Sequence, residues 1–264
     1  MTRIADTFTR LREARTPGLV AYVTAGDPDL ARTAEILVSL ARNGADVLEV
    51  GIPFSDPLAD GPVIQRASER ALASGSTLRG ALEMIRHTRS AIDAPIVLFT
   101  YANPVLRMGE AAFVKAAAEA GVDGVLVLDL PVEEAGPFRG RLVAAAIDPI
   151  FLLSPTTSDA RIRASSDLGR GFLYVISRLG VTGARAQVAA DAEALVARIR
   201  AHTGLPLALG FGISTPEQVA EVGRWADAAV VGSALVNVIA EHAALPDVAG
   251  RAGAYVRWLK GQAS

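Results

Sequence analysis

The hydrophobic positions of this chain fall into two alternating patterns. Short continuous apolar runs, such as PIVLFTY at 95–101, alternate with longer stretches in which apolar residues recur every three or four positions. Continuous apolar runs are typical of strands covered on both faces, and the longer spacing is typical of helices with one apolar face. The chain therefore predicts a regular alternation of strands and helices.

The number of these units predicts the fold class. Apolar runs predict strands at 18–26, 46–50, 95–101, 124–130, 149–154, 171–177, 206–212 and 227–232. Helical spacing is predicted at 3–14, 29–43, 62–74, 77–91, 110–120, 131–146, 158–168, 191–202, 215–223, 233–242 and 247–260. Eight strand–helix units favour one α/β domain over residues 1–264, a (β/α)8 TIM barrel with extra helices at the N-terminus and after strands two and eight. The alternative is an open doubly wound sheet.

Composition and charge exclude several function classes. The chain has no cysteine, so disulfides, thiolate metal sites and a cysteine nucleophile are excluded. Its net charge is -2 and its basic residues are scattered, which predicts no nucleic-acid or membrane partner. The charged amphipathic N-terminus and the lack of an apolar run near ~18 residues predict a cytoplasmic protein. His87, His202 and His242 fall on predicted outer helices without metal-ligand spacing, so no metal site is expected.

Residues 47–65, VLEVGIPFSDPLADGPVIQ, join a buried strand to a long irregular loop. Glu49 lies between Leu48 and Val50, where burial should raise its pKa and let it exchange protons near neutral pH. Asp60 lies on the loop among polar neighbours, where it should stay ionised and bind an N–H donor. In a barrel both residues would lie at the C-terminal rim, where active sites occur. The alternative is that Glu49 pairs with a structural arginine and the loop is only a connection.

Glycines close the last two predicted strands in a way that suits an anion. Gly212 ends strand seven, and Gly232 ends strand eight, where Ser233 opens a short predicted helix. N–H groups at a helix N-terminus bind phosphate, and this rim position is a common phosphate site in barrels. Tyr174, near the end of strand six, and Thr182–Gly183, on the loop that follows, would lie on the same rim. The alternative is that the glycines only end strands.

Several motifs carry a resemblance to a known family. They are LEVGIPFSDPLADGPVIQ (48–65), TAGDP (24–28), YANPV (101–105), DLPVEE (129–134), ISRLGVTGAR (176–185), GFGISTPEQV (210–219) and VVGSALV (230–236). In order and spacing they resemble the tryptophan synthase α subunit over essentially the whole chain. Small departures lie in the pocket walls, where Tyr22 stands in place of an expected phenylalanine and Thr100 in place of a bulkier apolar residue.

The resemblance implies a reaction and a partner. The family is a (β/α)8 barrel that cleaves indole-3-glycerol phosphate to indole and glyceraldehyde 3-phosphate by a retro-aldol step, without a cofactor. It pairs with a β subunit in an αββα complex. Pyridoxal phosphate is expected only in that β subunit, which receives the indole through a tunnel.

The resemblance also implies a role for each candidate residue. Glu49 would be the general acid and base, with Tyr174 close to it, and Asp60 would hold the indole N–H. Thr182 and Gly183 would belong to a mobile loop that closes over the substrate. Backbone groups would bind the phosphate at Gly183, Gly212, Gly232 and Ser233.

Two other functions remain open at this point. One is a stand-alone indole-3-glycerol-phosphate lyase that releases free indole, and the other is a catalytically weak subunit that allosterically activates a β partner. The presence of both carboxylates argues against the second. Asp56, Pro57, Asn103 and Pro131 lie on the rim where the family docks β, which favours the paired enzyme over the stand-alone lyase.

Overall fold

The computed structural model describes residues 1–177, 185–210 and 212–262, and of residues 185–190 it describes only the backbone. Within these ranges eight parallel strands pair in chain order, and the last pairs with the first to close a barrel. The strands are β1 Gly18–Thr24, β2 Val47–Gly51, β3 Ile96–Thr100, β4 Gly124–Val127, β5 Asp148–Leu153, β6 Leu173–Ile176, β7 Leu207–Gly210 and β8 Ala228–Val231. The predicted TIM barrel is confirmed, and the open sheet is wrong.

Helices surround this barrel. They are α1 Arg3–Ala14, α2 Leu30–Arg42, α3 Pro62–Ala73, α4 Leu78–Thr88, α5 Ala102–Met108, α6 Glu110–Ala120, α7 Gly136–Ala144, α8 Asp159–Leu168, α9 Arg185–Arg200, α10 Pro216–Val222, α11 Ser233–His242 and α12 Val248–Leu259. As predicted, α1 precedes the barrel and extra helices follow β2 and β8. None of the helices in the described ranges is long and apolar enough to cross a membrane.

Three predicted details are wrong. Helix α5 is missing from the predicted helices, and it includes Pro104, which falls in the first turn, where its missing N–H has no intrahelical acceptor to lose. Helix α9 starts at Arg185 rather than at 191. Residues 185–190 contain neither glycine nor proline, so they continue the helix. His202 lies beyond the end of α9 rather than on it.

The N-terminal end of the barrel is filled and closed. Ile4 and Phe8 of α1 are buried among inward-facing strand residues that are apolar, including Val20 and Val47. The Phe8 ring lies 5.5 Å from the ring of Phe172. Any open space within the barrel is therefore at its C-terminal end.

Three aspartates fasten neighbouring strands at this closed end. We call Asp46, Asp123 and Asp227 the strand-start aspartates because each directly precedes an even-numbered strand. Each carboxylate accepts a backbone N–H at 2.8 Å from the start of the preceding odd-numbered strand, namely that of Leu19, Ile96 and Leu207 respectively. Each also pairs with a cation: Lys260 with the first, Arg3 and Arg89 with the second, and Arg200 with the third.

Candidate active site

A cavity of about 540 Å³ opens at the C-terminal end of the barrel. Five of the eight residues predicted for the site line it: Asp60, Tyr174, Gly212, Gly232 and Ser233. Glu49 faces the interior of the barrel, in register with Tyr22, which lines this cavity. Thr182 and Gly183 lie outside the described residues.

Glu49 is a buried acid without a partner in the described part of the chain. Its side chain is 0% exposed, and neither carboxyl oxygen has a hydrogen-bond partner there. Burial raises its pKa to about 8, and the nearby charge of Asp60 contributes to the increase. The Glu49 carboxyl is therefore mostly protonated at pH 7. Because it makes no ion pair with any described residue, the alternative of a structural arginine partner finds no support.

Asp60 is half-buried on the loop after β2. Burial raises its pKa to about 6, and a hydrogen bond from Tyr101 partly offsets that rise. The Tyr101 hydroxyl donates to Asp60 Oδ2 at 3.0 Å and accepts the Ala59 N–H at 3.1 Å. The surroundings of Asp60 are thus less polar than the sequence predicts. With a pKa of about 6, Asp60 is still mostly ionised at neutral pH.

The Asp60 loop is held by two residues that the sequence analysis did not single out. One is Tyr101, whose ring packs 5.0 Å from that of Phe54. The other is Gln65 of α3, whose side-chain amide donates to the carbonyl of Asp60 at 2.9 Å and to that of Pro57 at 3.4 Å. Their positions in the sequence could have indicated this role, because Tyr101 ends a predicted strand at the rim and Gln65 ends the stretch that contains the acidic loop.

The predicted anion site lies at backbone groups of Gly212, Gly232 and Ser233, which line the cavity. Ser233 begins α11, so N–H groups of its first turn have no acceptor within the helix. Gly212 has a φ of +72°, and no atom of the described residues lies within 4 Å of the place where its Cβ would be. At Gly232 the nearest atoms to an added Cβ are those of Tyr22, at 3.8 Å and beyond. Among the described residues, few side chains approach this backbone, which leaves its N–H groups available to an anion.

The side wall of the cavity is aromatic. Tyr174 of β6 is buried, and its ring centroid lies 6.2 Å from that of Phe99. Burial raises the pKa of Tyr174 well above its ordinary value, and the charge of Glu49 adds to this effect. That Tyr174 lies close to the glutamate stays a prediction. An apolar wall of this kind suits a flat aromatic ligand.

The described residues offer no set of metal ligands. Within them, no three histidine or acidic side chains are grouped so that they could hold a metal ion. The cavity instead has an ionised carboxylate, an aromatic wall and exposed backbone at Gly212, Gly232 and Ser233, and a buried protonated acid lies on the strand next to Tyr22 of its wall. This set can donate a proton to an aromatic ring that carries a phosphate on a side arm.

Comparison with known proteins gives a consistent picture. The sequence profile of the tryptophan synthase alpha chain family matches residues 8–257. The tryptophan synthase alpha chain of Citrifermentans bemidjiense is 51% identical over 242 residues, which cover 92% of this chain and 91% of that protein. The alpha chain of Burkholderia thailandensis is 48% identical over 261 residues, covering 98% and 96%.

Solved structures agree with these sequence matches. Tryptophan synthase subunit alpha from Legionella pneumophila superposes with a TM-score of 0.92 at 40% identity, covering 99% of this chain and 98% of that one. A chain of Mycobacterium tuberculosis tryptophan synthase superposes with a TM-score of 0.89 at 35% identity, covering 98% and 97%. This chain belongs to the tryptophan synthase alpha chain family.

Proposed function

We propose that Glu49 and Asp60 divide the acid–base work of this family's reaction between them. That reaction is the retro-aldol cleavage of indole-3-glycerol phosphate to indole and glyceraldehyde 3-phosphate in tryptophan biosynthesis, and this chain is a carbon–carbon lyase of that pathway. The observation that supports the division best is the pair of unequal environments. Glu49 is fully buried with a pKa of about 8, whereas Asp60 has a pKa of about 6.

Glu49 supplies the proton that makes the bond break. Direct cleavage would expel an indole carbanion, which is too basic to leave unaided. Glu49 first protonates the ring carbon that bears the glycerol chain, and the resulting indolenine cation then accepts the electrons of the carbon–carbon bond. The Glu49 carboxylate takes the proton from the adjacent hydroxyl, which becomes the aldehyde oxygen, and so returns to its starting form.

Asp60 stabilises the cation that forms in this step. An ionised carboxylate that accepts the indole N–H lies beside the positive charge as it develops, at the edge of a cavity lined by aromatic side chains. Tyr101 and Gln65 hold Asp60 and its loop for this contact. The aromatic wall formed by Phe99 and Tyr174 is placed to pack against the indole ring.

The phosphate is held by peptide N–H groups rather than by a charged side chain. The backbone at Gly212, Gly232 and Ser233 lines the cavity, and the first turn of α11 directs its dipole there. Thr182 and Gly183 stay predictions as a cover for the substrate and as part of the phosphate site, because they lie outside the described residues. The proposed cleavage needs no cofactor or metal.

The proposed partner is a tryptophan synthase β subunit, in a cytoplasmic αββα complex that carries pyridoxal phosphate in β alone. The family pairs with such a subunit. Two large apolar side chains are exposed on the catalytic rim: Leu58 is 93% exposed on the Asp60 loop and Leu106 is 63% exposed on α5. They lie beside Pro57 and Asn103, where the family resemblance puts the β contact. The stand-alone lyase and the weak allosteric subunit remain the alternatives.

The role of Glu49 is tested by Glu49→Gln. The amide keeps the shape of the side chain but cannot transfer the proton, so we expect turnover to fall by about 10²–10⁴-fold with the Michaelis constant little changed. Steady-state indole formation is the measurement. Binding of inorganic phosphate, measured by calorimetry, should be the same in both proteins.

Stability gives a control for this substitution. Because the folded-state pKa of Glu49 is raised from 4.5 to about 8, the neutral acid favours folding at low pH, and this contribution is lost as the pH rises through about 8. The glutamine variant should therefore be at least as stable as the wild type at pH 9. A loss of turnover below about tenfold in a folded variant would rule out Glu49 as the proton donor.

A further inference from the structure

Tyr22 is a buried residue of the pocket wall with a hydroxyl that the proposed mechanism does not use. It belongs to β1, is 6% exposed, and lines the cavity. Its Cα pairs in register with that of Glu49 on β2. Paired residues of adjacent strands point to the same face and lie about 4.8 Å apart, so the phenol and the carboxyl group start from neighbouring points inside the barrel.

The Tyr22 hydroxyl occupies the space that a side chain at Gly51 would fill. A Cβ built on Gly51 would lie 2.0 Å from Tyr22 Oη and 2.5 Å from Tyr22 Cζ. Gly51 is two residues beyond Glu49 toward the rim and shares its face of the strand. The hydroxyl therefore lies beside Gly51, one inward-facing layer closer to the rim than the backbone of Glu49.

Both polar groups are incompletely hydrogen-bonded. Within the described residues the Tyr22 hydroxyl has one partner, Thr24 Oγ1, at 3.4 Å. This exceeds the usual 2.5–3.0 Å of an O–H···O bond. The two carboxyl oxygens of Glu49 have no partner there. Buried polar groups are normally satisfied, so an unpartnered carboxyl group on the strand next to a weakly bonded phenol points to a contact that forms in another state of the site.

We propose that Tyr22 is a positioning residue for Glu49, whose hydroxyl turns from Thr24 and donates a hydrogen bond to the Glu49 carboxylate once that carboxylate has given up its proton. The proposal rests on the role proposed for Glu49 above. The bond holds the carboxylate toward the cavity until it accepts the hydroxyl proton of the substrate. An ionised acceptor forms a stronger hydrogen bond than the threonine hydroxyl, so the exchange is favoured only in this part of the cycle.

The proton of Tyr22 stays in place throughout. Burial raises the pKa of the Tyr22 phenol well above its ordinary value, and the charges of Asp60 and Glu49 raise it further. The titratable groups that face Glu49 in the described part of the chain are Tyr22 from β1, Asp60 from the loop after β2, and Tyr174 from β6. The register neighbour from β3 is apolar Val97.

The test measures the pKa of Glu49 in three full-length proteins: the wild type, Tyr22→Phe and Thr24→Val. Infrared difference spectra follow the carboxyl C=O band of Glu49 through a pH titration, and Glu49→Gln identifies that band. Tyr22→Phe removes the donor and keeps the ring beside Phe99, so the anion loses stabilisation and the pKa of Glu49 should rise by about one unit. Turnover should fall by about three- to tenfold, with the Michaelis constant within about twofold, since a bond to the carboxylate acts on the proton-transfer step.

The matched control is Thr24→Val, which removes the resting partner of Tyr22 but keeps the phenol. This variant should not raise the pKa of Glu49, and thermal melting should show both variants folded. An unchanged pKa in Tyr22→Phe, or an equal rise in Thr24→Val, would overturn the proposal. The infrared reading does not require Glu49 to be the proton donor, so failure of that role would appear separately, as retained turnover in Glu49→Gln.

Discussion

At the scale of single residues, two carboxyl groups of similar chemistry acquire different properties from their surroundings. Glu49 is fully buried without a described partner, which raises its pKa to about 8. Asp60 is less buried and accepts a hydrogen bond from Tyr101, and its pKa is about 6. Between these two values Glu49 is protonated and Asp60 is ionised, which is the combination that the cleavage requires.

This difference predicts the pH dependence of the reaction. Activity should be lost as the pH falls through about 6, where Asp60 gains a proton, and as it rises through about 8, where Glu49 loses one. A plot of kcat/KM against pH should therefore be bell-shaped, because this parameter reports the groups of the free enzyme.

Tyr101→Phe provides a check on the acidic limb. The substitution removes the hydrogen bond that lowers the pKa of Asp60, so the acidic limb should move to higher pH. The alkaline limb should stay in place because Asp60 is ionised there in both proteins. A profile in which both limbs move together would contradict the assignment of the two limbs to two residues.

The pKa of Glu49 could be predicted from its immediate neighbours, whereas that of Asp60 could not. Apolar residues flank Glu49 on both sides in the sequence, and they mark a buried strand. The partner of Asp60 is Tyr101, 41 positions away, and only the pairing of β2 with β3 brings the two together. A reading of local sequence therefore placed Asp60 correctly on the rim but described its surroundings as more polar than they are.

At the scale of elements, the strand-start aspartates show how the barrel is held together away from its chemistry. In the sequence they follow a small or apolar residue in GAD (44–46), GVD (121–123) and WAD (225–227). A search for hydrophobic periodicity gives them no role, because Asp46 and Asp227 open predicted strands as single polar residues and Asp123 lies just before one. The same search found all eight strands, since a strand covered on both faces is recognisable without knowledge of its partners.

Asp123→Asn should lower stability and leave catalysis unchanged. Asp123 accepts the Ile96 N–H and pairs with Arg89, which is mostly buried. Replacing the charge weakens both contacts, so we expect a decrease of about 1–3 kcal/mol in the free energy of unfolding. Chemical denaturation measures this change, and kcat/KM should match that of the wild type because the cavity is at the other end of the barrel.

Exposed Asp167 offers the matched control for this loss. Asp167→Asn makes the same chemical change on the surface of α8 and should alter the free energy of unfolding by less than about 0.5 kcal/mol. An equal loss in both variants would mean that the decrease follows from net charge rather than from the fastening of β3 to β4.

At the scale of the whole molecule, the two ends of the barrel differ in purpose. The N-terminal end is filled by Ile4 and Phe8 and is rich in ion pairs. The C-terminal end holds the cavity, the loop with Asp60, and the exposed Leu58 and Leu106. A partner that covers the second end can affect the reaction without disturbing the first.

We expect a β subunit to accelerate cleavage by this chain. If the closed arrangement of the rim loops is ~1% populated in the isolated chain, its full stabilisation would raise turnover by about a hundredfold, or ~2.7 kcal/mol of differential binding. Indole formation with and without a β subunit measures the effect. Full-speed cleavage that no β subunit changes would instead favour the stand-alone lyase.

Two exposed leucines allow this coupling to be located. Leu106→Asp should reduce the stimulation by β because it places a charge in the proposed contact. Leu245→Asp changes a leucine of the segment between α11 and α12 and should leave the stimulation as it is. Equal losses in both variants would argue against a contact at the rim.

The strand-start aspartates also divide the barrel into modules. Each one joins an odd-numbered strand to the even-numbered strand that follows, so β1–β2, β3–β4 and β7–β8 are fastened pairs. Residues 169–172, just before β6, include no aspartate. Gly171 lies two positions before this strand, and an added Cβ there would meet Ile4 of α1 at 3.0 Å and Asp148 at 3.1 Å. Chimeras with a relative should therefore be joined between fastened pairs rather than within one. A chimera that exchanges β5 and β6 should also exchange helix α1, because Ile4 of that helix packs against Gly171.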